Sequence, residues 1–205
     1  MKHAREIVTL LIAFTAFFGD HVVFQSKLSN SKLLKALADS AVHGILGCLS
    51  ALAFLSNDTN YSTQTLMYNV MFCTLISCLI DVDHIFVAKS FSLQDITNTK
   101  SRGFLHCTSL WLFVTVSLLT YSYIAKKVNI FSMTWMLILA FSSHHIRDGN
   151  RRGLWMYPFG HTPPIPKYLY IGLTMFLPHL LAVIYRVTKP TRHTVLDYSD
   201  VVTLI

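Results

Sequence analysis

Charge is scarce in this sequence. Of its 205 residues only 13% are Asp, Glu, Lys or Arg, while 53% are apolar. A soluble domain carries about 25% charged residues, so the shortfall argues against an ordinary soluble protein. A mean hydropathy of +0.48 points the same way. Cysteine is also sparse. Cys48, Cys73, Cys78 and Cys107 form no CxxC pair, which argues against a thiolate zinc ribbon or a disulfide framework. They lie in or beside apolar runs and read as small buried hydrophobes. No internal repeat, GxSxG, HExxH, Walker A or GxGxxG run occurs, so the common serine-hydrolase, zincin and nucleotide-binding signatures are missing. The net charge is +7, but the positive residues fall between apolar runs. That pattern indicates a membrane lipid environment and no nucleic-acid partner.

What is present is a series of apolar runs. A membrane-crossing helix needs about 20 mostly apolar residues. The runs Ile7 to Phe24, Ala36 to Leu55, Thr65 to Ala88, Phe104 to Ala125, Ile130 to His145 and Tyr168 to Val187 predict an all-α polytopic membrane bundle of about six transmembrane helices. Residues 1–187 form one domain and 188–205 a polar tail. A cleaved signal peptide is the competing reading of the first run, although no small-x-small cleavage site follows it. Pro178 should kink the last helix. The loops after the odd-numbered spans carry more Lys and Arg than the opposite side, which places them in the cytosol. The sequons at Asn57 and Asn60, candidates for glycosylation, fall in the second loop and agree with a lumenal side. An endomembrane such as the endoplasmic reticulum is the expected location.

The alternation of six spans puts the polar residues on one side. Asp20 and His21, Asp39 and His43, Asp81, Asp83 and His84, His106, and His144, His145 and Asp148 all fall on the same side of the membrane, at the ends of the odd spans and the starts of the even ones. Acids at a helix C-terminus, as at Asp81 and Asp83, are unfavourable against the helix dipole and call for a cation. On a helix, His144 and Asp148 lie one turn apart on one face, as His145 and Asp148 nearly do, and offer a nitrogen and a carboxylate to one point. The expected metal ligands are therefore Asp39, His43, Asp81, Asp83, His84, His106, His144 and Asp148, with Asp39 as a bridging or orienting group. Such nitrogen and oxygen donors suit one or two divalent ions, with zinc first and manganese or iron also compatible. The donors of Asp81, His106, His144 and Asp148 should lie within about 8 Å, the reach of one or two metals with their ligands. Arg147, Arg151 and Arg152 are expected at the membrane surface, where they would contact phosphate.

Four stretches carry a resemblance: LADSAVHG, IDVDHIFVAKSFSL, FLHC and SHHIRDGNRRGLWMYPFG. They resemble the animal transmembrane protein 267 family of multi-pass proteins. More distantly they are similar to the bacterial YdjM-like family of inner-membrane metal-dependent hydrolases, with its P-D-x-D-H, H-R-G-x-T-H-S and S-H-x-x-x-D runs. The resemblance implies that Asp81, Asp83 and His84 match the first run and His106 the last His of the second. His144 and Asp148 match the third, which favours His144 over His145. Ile80 stands where the bacterial run has Pro, Ser101 where it has His, and Cys107 where it has Ser. Three functions are thus expected, in order: a membrane-embedded metal-dependent hydrolase acting on a lipid-type phosphoester, a non-enzymatic scaffold with a structural or vestigial metal, and an ion or solute transporter. A polar layer near one face, away from the midplane, weighs against the last.

Overall fold

The computed structural model describes residues 2–57, 61–97 and 101–189. The sequon residue Asn60 and most of the expected tail lie outside the described residues. The fold is all-α, as the apolar runs predict: α1 Lys2–Phe24, α2 Lys32–Leu55, α3 Thr63–Leu79, α4 Asp83–Ala88, α5 Leu93–Thr97, α6 Thr108–Ile124, α7 Val128–Arg152 and α8 Lys167–Thr188. Polar residues set the helix starts. Ser31 accepts the amide of Leu34 ahead of α2, and Ser62 accepts that of Thr65 ahead of α3, each satisfying an N–H the helix leaves unpaired.

The six expected segments are all helical, with shifted ends. Four of them are both long and apolar enough to cross a membrane: His3–Phe24, Lys32–Leu55, Thr63–Ala88 and Lys167–Thr188. Helix α6 is apolar but only 17 residues long, about 25 Å against a hydrocarbon core of about 30 Å. It begins at Thr108, not Phe104, and His106 sits ahead of it in a 3-10 turn over Phe104–His106. Helix α7 runs on through the polar stretch to Arg152. Helix α8 continues through Pro178 without a break.

Helix α2 is central and packs against α1, α3, α7 and α8. Small residues allow its close approach to α3: a Cβ at Gly44 would strike the Cys78 sulfur, and one at Gly47 would strike Ser77. Such small-residue contacts are how helices associate in lipid, where apolar burial gives little drive. The apolar core gathers Phe54, Phe131, Trp135, Met136, Leu139 and Tyr185. The outer faces of α1, α6 and α8 expose Phe14, Phe113 and Phe176 among many large apolar side chains, a surface suited to hydrocarbon.

Because the run Thr63–Ala88 crosses from one side to the other, a residue in its first turn and one beyond its end should face opposite sides. With the positive-residue bias, Gln64→Cys should react with an impermeant thiol reagent from the lumenal side only, and Phe91→Cys from the cytosolic side only. Labelling of both from one side would mean that this run does not cross.

Candidate metal centre

Three segments converge at one end of the bundle. Helix α3 gives way to a 3-10 turn over Ile80–Val82 before α4 resumes at Asp83. The tighter winding of that turn divides the acids: Asp81 faces α7, while Asp83 is fully buried behind His106. The turn Phe104–His106 supplies His106, and α7 supplies His144 and Asp148.

Donor atoms of Asp81, His106, His144 and Asp148 all lie within 4.8 Å of one another. His144 Nδ1 lies 2.9 Å from the Ser77 carbonyl, and His106 Nδ1 lies 3.0 Å from Asp83 Oδ2. A carbonyl and a carboxylate only accept hydrogen bonds, so Nδ1 carries the proton in both rings. Their Nε2 atoms then meet 3.3 Å apart. His106 Nε2 is 3.4 Å from Asp81 Oδ1 and 3.5 Å from Asp148 Oδ2. His144 Nε2 is 3.5 Å and 3.8 Å from the same two oxygens. A tetrahedral ion with bonds of ~2.0–2.1 Å separates its donors by ~3.3–3.4 Å, and these five distances approach that figure. Two nitrogens and two carboxylate oxygens facing one point need a positive charge between them. His106, ahead of the α6 span, reflects this. Burial opposes its charged form, yet Asp148, Asp81 and Asp83 outweigh burial and raise its pKa to about 11.

The other expected residues divide by place. Asp83, His84 and His106 form a second donor group, but His106 Nδ1 is already given to Asp83. Asp83 therefore orients His106, the arrangement commonly found behind metal-bound histidines. A Cβ at Gly103 would collide with the Asp83 carboxylate, so this glycine makes room for it. His43 stacks on His144 with ring centroids 3.7 Å apart, and its Nε2 is 3.5 Å from Asp148 Oδ1. It lies beside the four-donor group, outside it. Asp39 is 2.7 Å from the Arg147 guanidinium. His145 turns away, with Nδ1 3.1 Å from the Thr108 hydroxyl and Nε2 3.0 Å from the Leu105 carbonyl.

The placement of Arg147 needs correcting. Expected at the membrane surface with Arg151 and Arg152, it is buried, and its Nε lies 3.1 Å from Asp20. Those two acids close around it because an unpaired buried guanidinium would be costly. Arg151 donates to Asp148 Oδ1 at 2.8 Å, and Arg152 is exposed. Tyr170 donates to Asp20 in a short hydrogen bond. His21 faces outward onto Gln25. At the far end, Arg5, Asn57, His179 and Thr9 form a second polar cluster. Asn57 accepts from Arg5 at 3.1 Å and its amide nitrogen donates to the Ala53 carbonyl at 2.7 Å.

The Ser77 carbonyl, Thr108 and the Leu105 carbonyl were not foreseen in the sequence. Backbone acceptors leave no side-chain signal, and Thr108 is one hydroxyl among many.

Comparison with known proteins gives a consistent result. The chain is 35% identical over 169 residues to "Transmembrane protein 267" of Mus musculus, covering 82% of this chain and 76% of that protein. The Danio rerio protein of the same name is 35% identical over 173 residues, covering 84% and 76%. That of Xenopus laevis is 32% identical over 186 residues, covering 90% and 85%. No protein-family model matches the chain, and no solved structure matches it.

Proposed function

The chain belongs to the transmembrane protein 267 family of multi-pass membrane proteins, and from that premise we propose that it is a metal-dependent hydrolase working at one membrane face. Its ion, zinc by donor type and number, would be held by Asp81, His106, His144 and Asp148; manganese or iron would ask for further donors. The observation that carries this reading is the meeting of two histidine Nε2 atoms whose Nδ1 protons are already committed. The likeness of the Asp81–Asp83–His84, His106 and His144–Asp148 runs to the YdjM-like hydrolases supports it. An endomembrane such as the endoplasmic reticulum is the proposed location.

When bound, such an ion lowers the pKa of water and polarises a phosphoryl oxygen. The protein's own residues do the rest. Asp83 and the Ser77 carbonyl fix the two imidazoles. Asp81, whose side chain is 26% exposed against 0–2% for the two histidines, is the most accessible of the four, and a substrate would enter past it. Arg151 and Arg152 stand at the end of α7, where a phosphate would approach. A lipid-type phosphoester fits because the turn carrying His106 also borders an apolar groove of about 350 Å³, lined by Phe104, Cys107, Leu110, Phe113, Trp155 and Tyr157. Four protein donors around one point favour a second reading, a structural ion in a scaffold protein, since catalytic zinc keeps an open position.

Zinc-loaded protein in phosphatidylcholine vesicles should release inorganic phosphate from a long-chain alkyl phosphate, and His106→Ala should abolish that release. Bound zinc without turnover would leave the structural reading standing. No bound metal at all would end both.

A further inference from the structure

A second polar feature lies deeper, away from the metal centre. Pro178 stands inside helix α8. Its ring nitrogen has no hydrogen, so the Thr174 carbonyl, four residues earlier, loses its helical donor. At membrane depth no bulk water replaces that donor, and the group must be satisfied within the protein. Ser50 of α2 is 1% exposed, and its hydroxyl has no hydrogen-bond partner. Both residues line one cavity of about 10 Å³, together with Ser142, Ser143 and Pro178. That is room for a single water.

The hydrogen-bond inventory matches a water. Ser142 donates to the Ile138 carbonyl, Ser143 to the Ala140 carbonyl at 3.1 Å, and the Thr174 hydroxyl to the Ile171 carbonyl at 2.9 Å. Their hydrogens are committed within their own helices, while their oxygens keep lone pairs. The cavity therefore presents one unplaced donor, the Ser50 O–H, and several acceptors. A water can accept from Ser50 and donate to the Thr174 carbonyl and to a neighbouring serine oxygen, giving the usual three bonds of a buried water.

Position adds weight. Ser50 lies seven residues after His43, about 10 Å along one face of α2, and seven before Asn57, which follows the end of that helix. His43 belongs to the metal face and Asn57 to the polar cluster at the opposite face. We infer that one water molecule is bound at mid-depth between Ser50, the Thr174 carbonyl and the serines of α7, joining α2, α7 and α8 around the proline.

Thermal unfolding in detergent of wild type, Ser50→Ala, Pro178→Ala and the double variant tests this. If the water is present, Ser50→Ala removes its donor and lowers Tm by about 2–4 °C, the shift expected for one lost hydrogen bond in a chain of this size. Pro178→Ala returns an N–H to the Thr174 carbonyl. The effect of Ser50→Ala should therefore shrink in that background, as required of two residues sharing one partner. A dry cavity predicts the opposite sign: deleting an unsatisfied hydroxyl would raise Tm or leave it unchanged, and the inference would fall. A decrease of the same size in both backgrounds would overturn the bridge to Thr174.

Discussion

Asp148→Asn is expected to lower metal affinity 10–100-fold, the usual penalty for disturbing such a donor set, while His145→Gln leaves the bound metal near the wild-type amount. Both residues stand on α7 and both are shielded from solvent. Asp148 presents its oxygens to His43, His106 and His144 at 3.5, 3.5 and 3.8 Å. Asn keeps its size and removes the charge that balances a divalent cation. His145, one residue from His144, has both nitrogens engaged, by Thr108 at the start of α6 and by Leu105 in the turn before it. Its replacement should instead lower Tm by a few degrees, the scale of one or two lost hydrogen bonds. Metal content of the detergent-purified proteins decides the matter. The proposed centre is falsified if the wild type and both variants hold the same amount of metal, or none.

Arg147→Ala should destabilise the fold by about 3–5 kcal/mol, the cost of leaving buried charges unpaired. Its guanidinium lies 3.1 Å from Asp20 and 2.7 Å from Asp39, and the residue is only 2% exposed. The alanine variant leaves two carboxylates facing each other inside the bundle. Adding Asp20→Asn and Asp39→Asn to Arg147→Met should recover much of the loss, because removing a whole buried ionic group is far milder than breaking it. Thermal unfolding in detergent should show a drop of roughly 10 °C for the single variant. A drop of only a degree or two would mean that Arg147 is effectively solvated and that its reading as a buried tie is wrong.

The helices were legible because apolar runs bounded by charges leave few alternatives in 205 residues. The convergence of polar residues at one end could also be read, since it follows from alternation alone. The division of labour within that end could not. Asp81, Asp83 and His84 look equivalent in sequence, and only the 3-10 turn between α3 and α4 sends Asp81 toward α7 and Asp83 behind His106. Arg147 resembles its neighbours Arg151 and Arg152 in a positive cluster. Its partner Asp20 is 127 residues away, beyond any local pattern. The spacing of His144 and Asp148 gave their common face, but the carbonyl that fixes the His144 tautomer belongs to Ser77, 67 residues earlier.

Helix α1 shows what these polar ends mean for assembly. Much of it faces outward, with Leu10, Phe14 and Phe18 exposed, and hydrocarbon solvates such side chains as well as protein does. Besides the packing of Ile12, Ala16 and Val23 against the core, it is tied by two polar joints about 16 Å apart along its axis: Asp20 with Arg147 and Tyr170 at one end, and Thr9 with His179 and Arg5 with Asn57 at the other. Once either joint forms, the second closes as an intramolecular event at high effective concentration. The two joints then act as a bivalent attachment, and loosening one end reduces the grip of both.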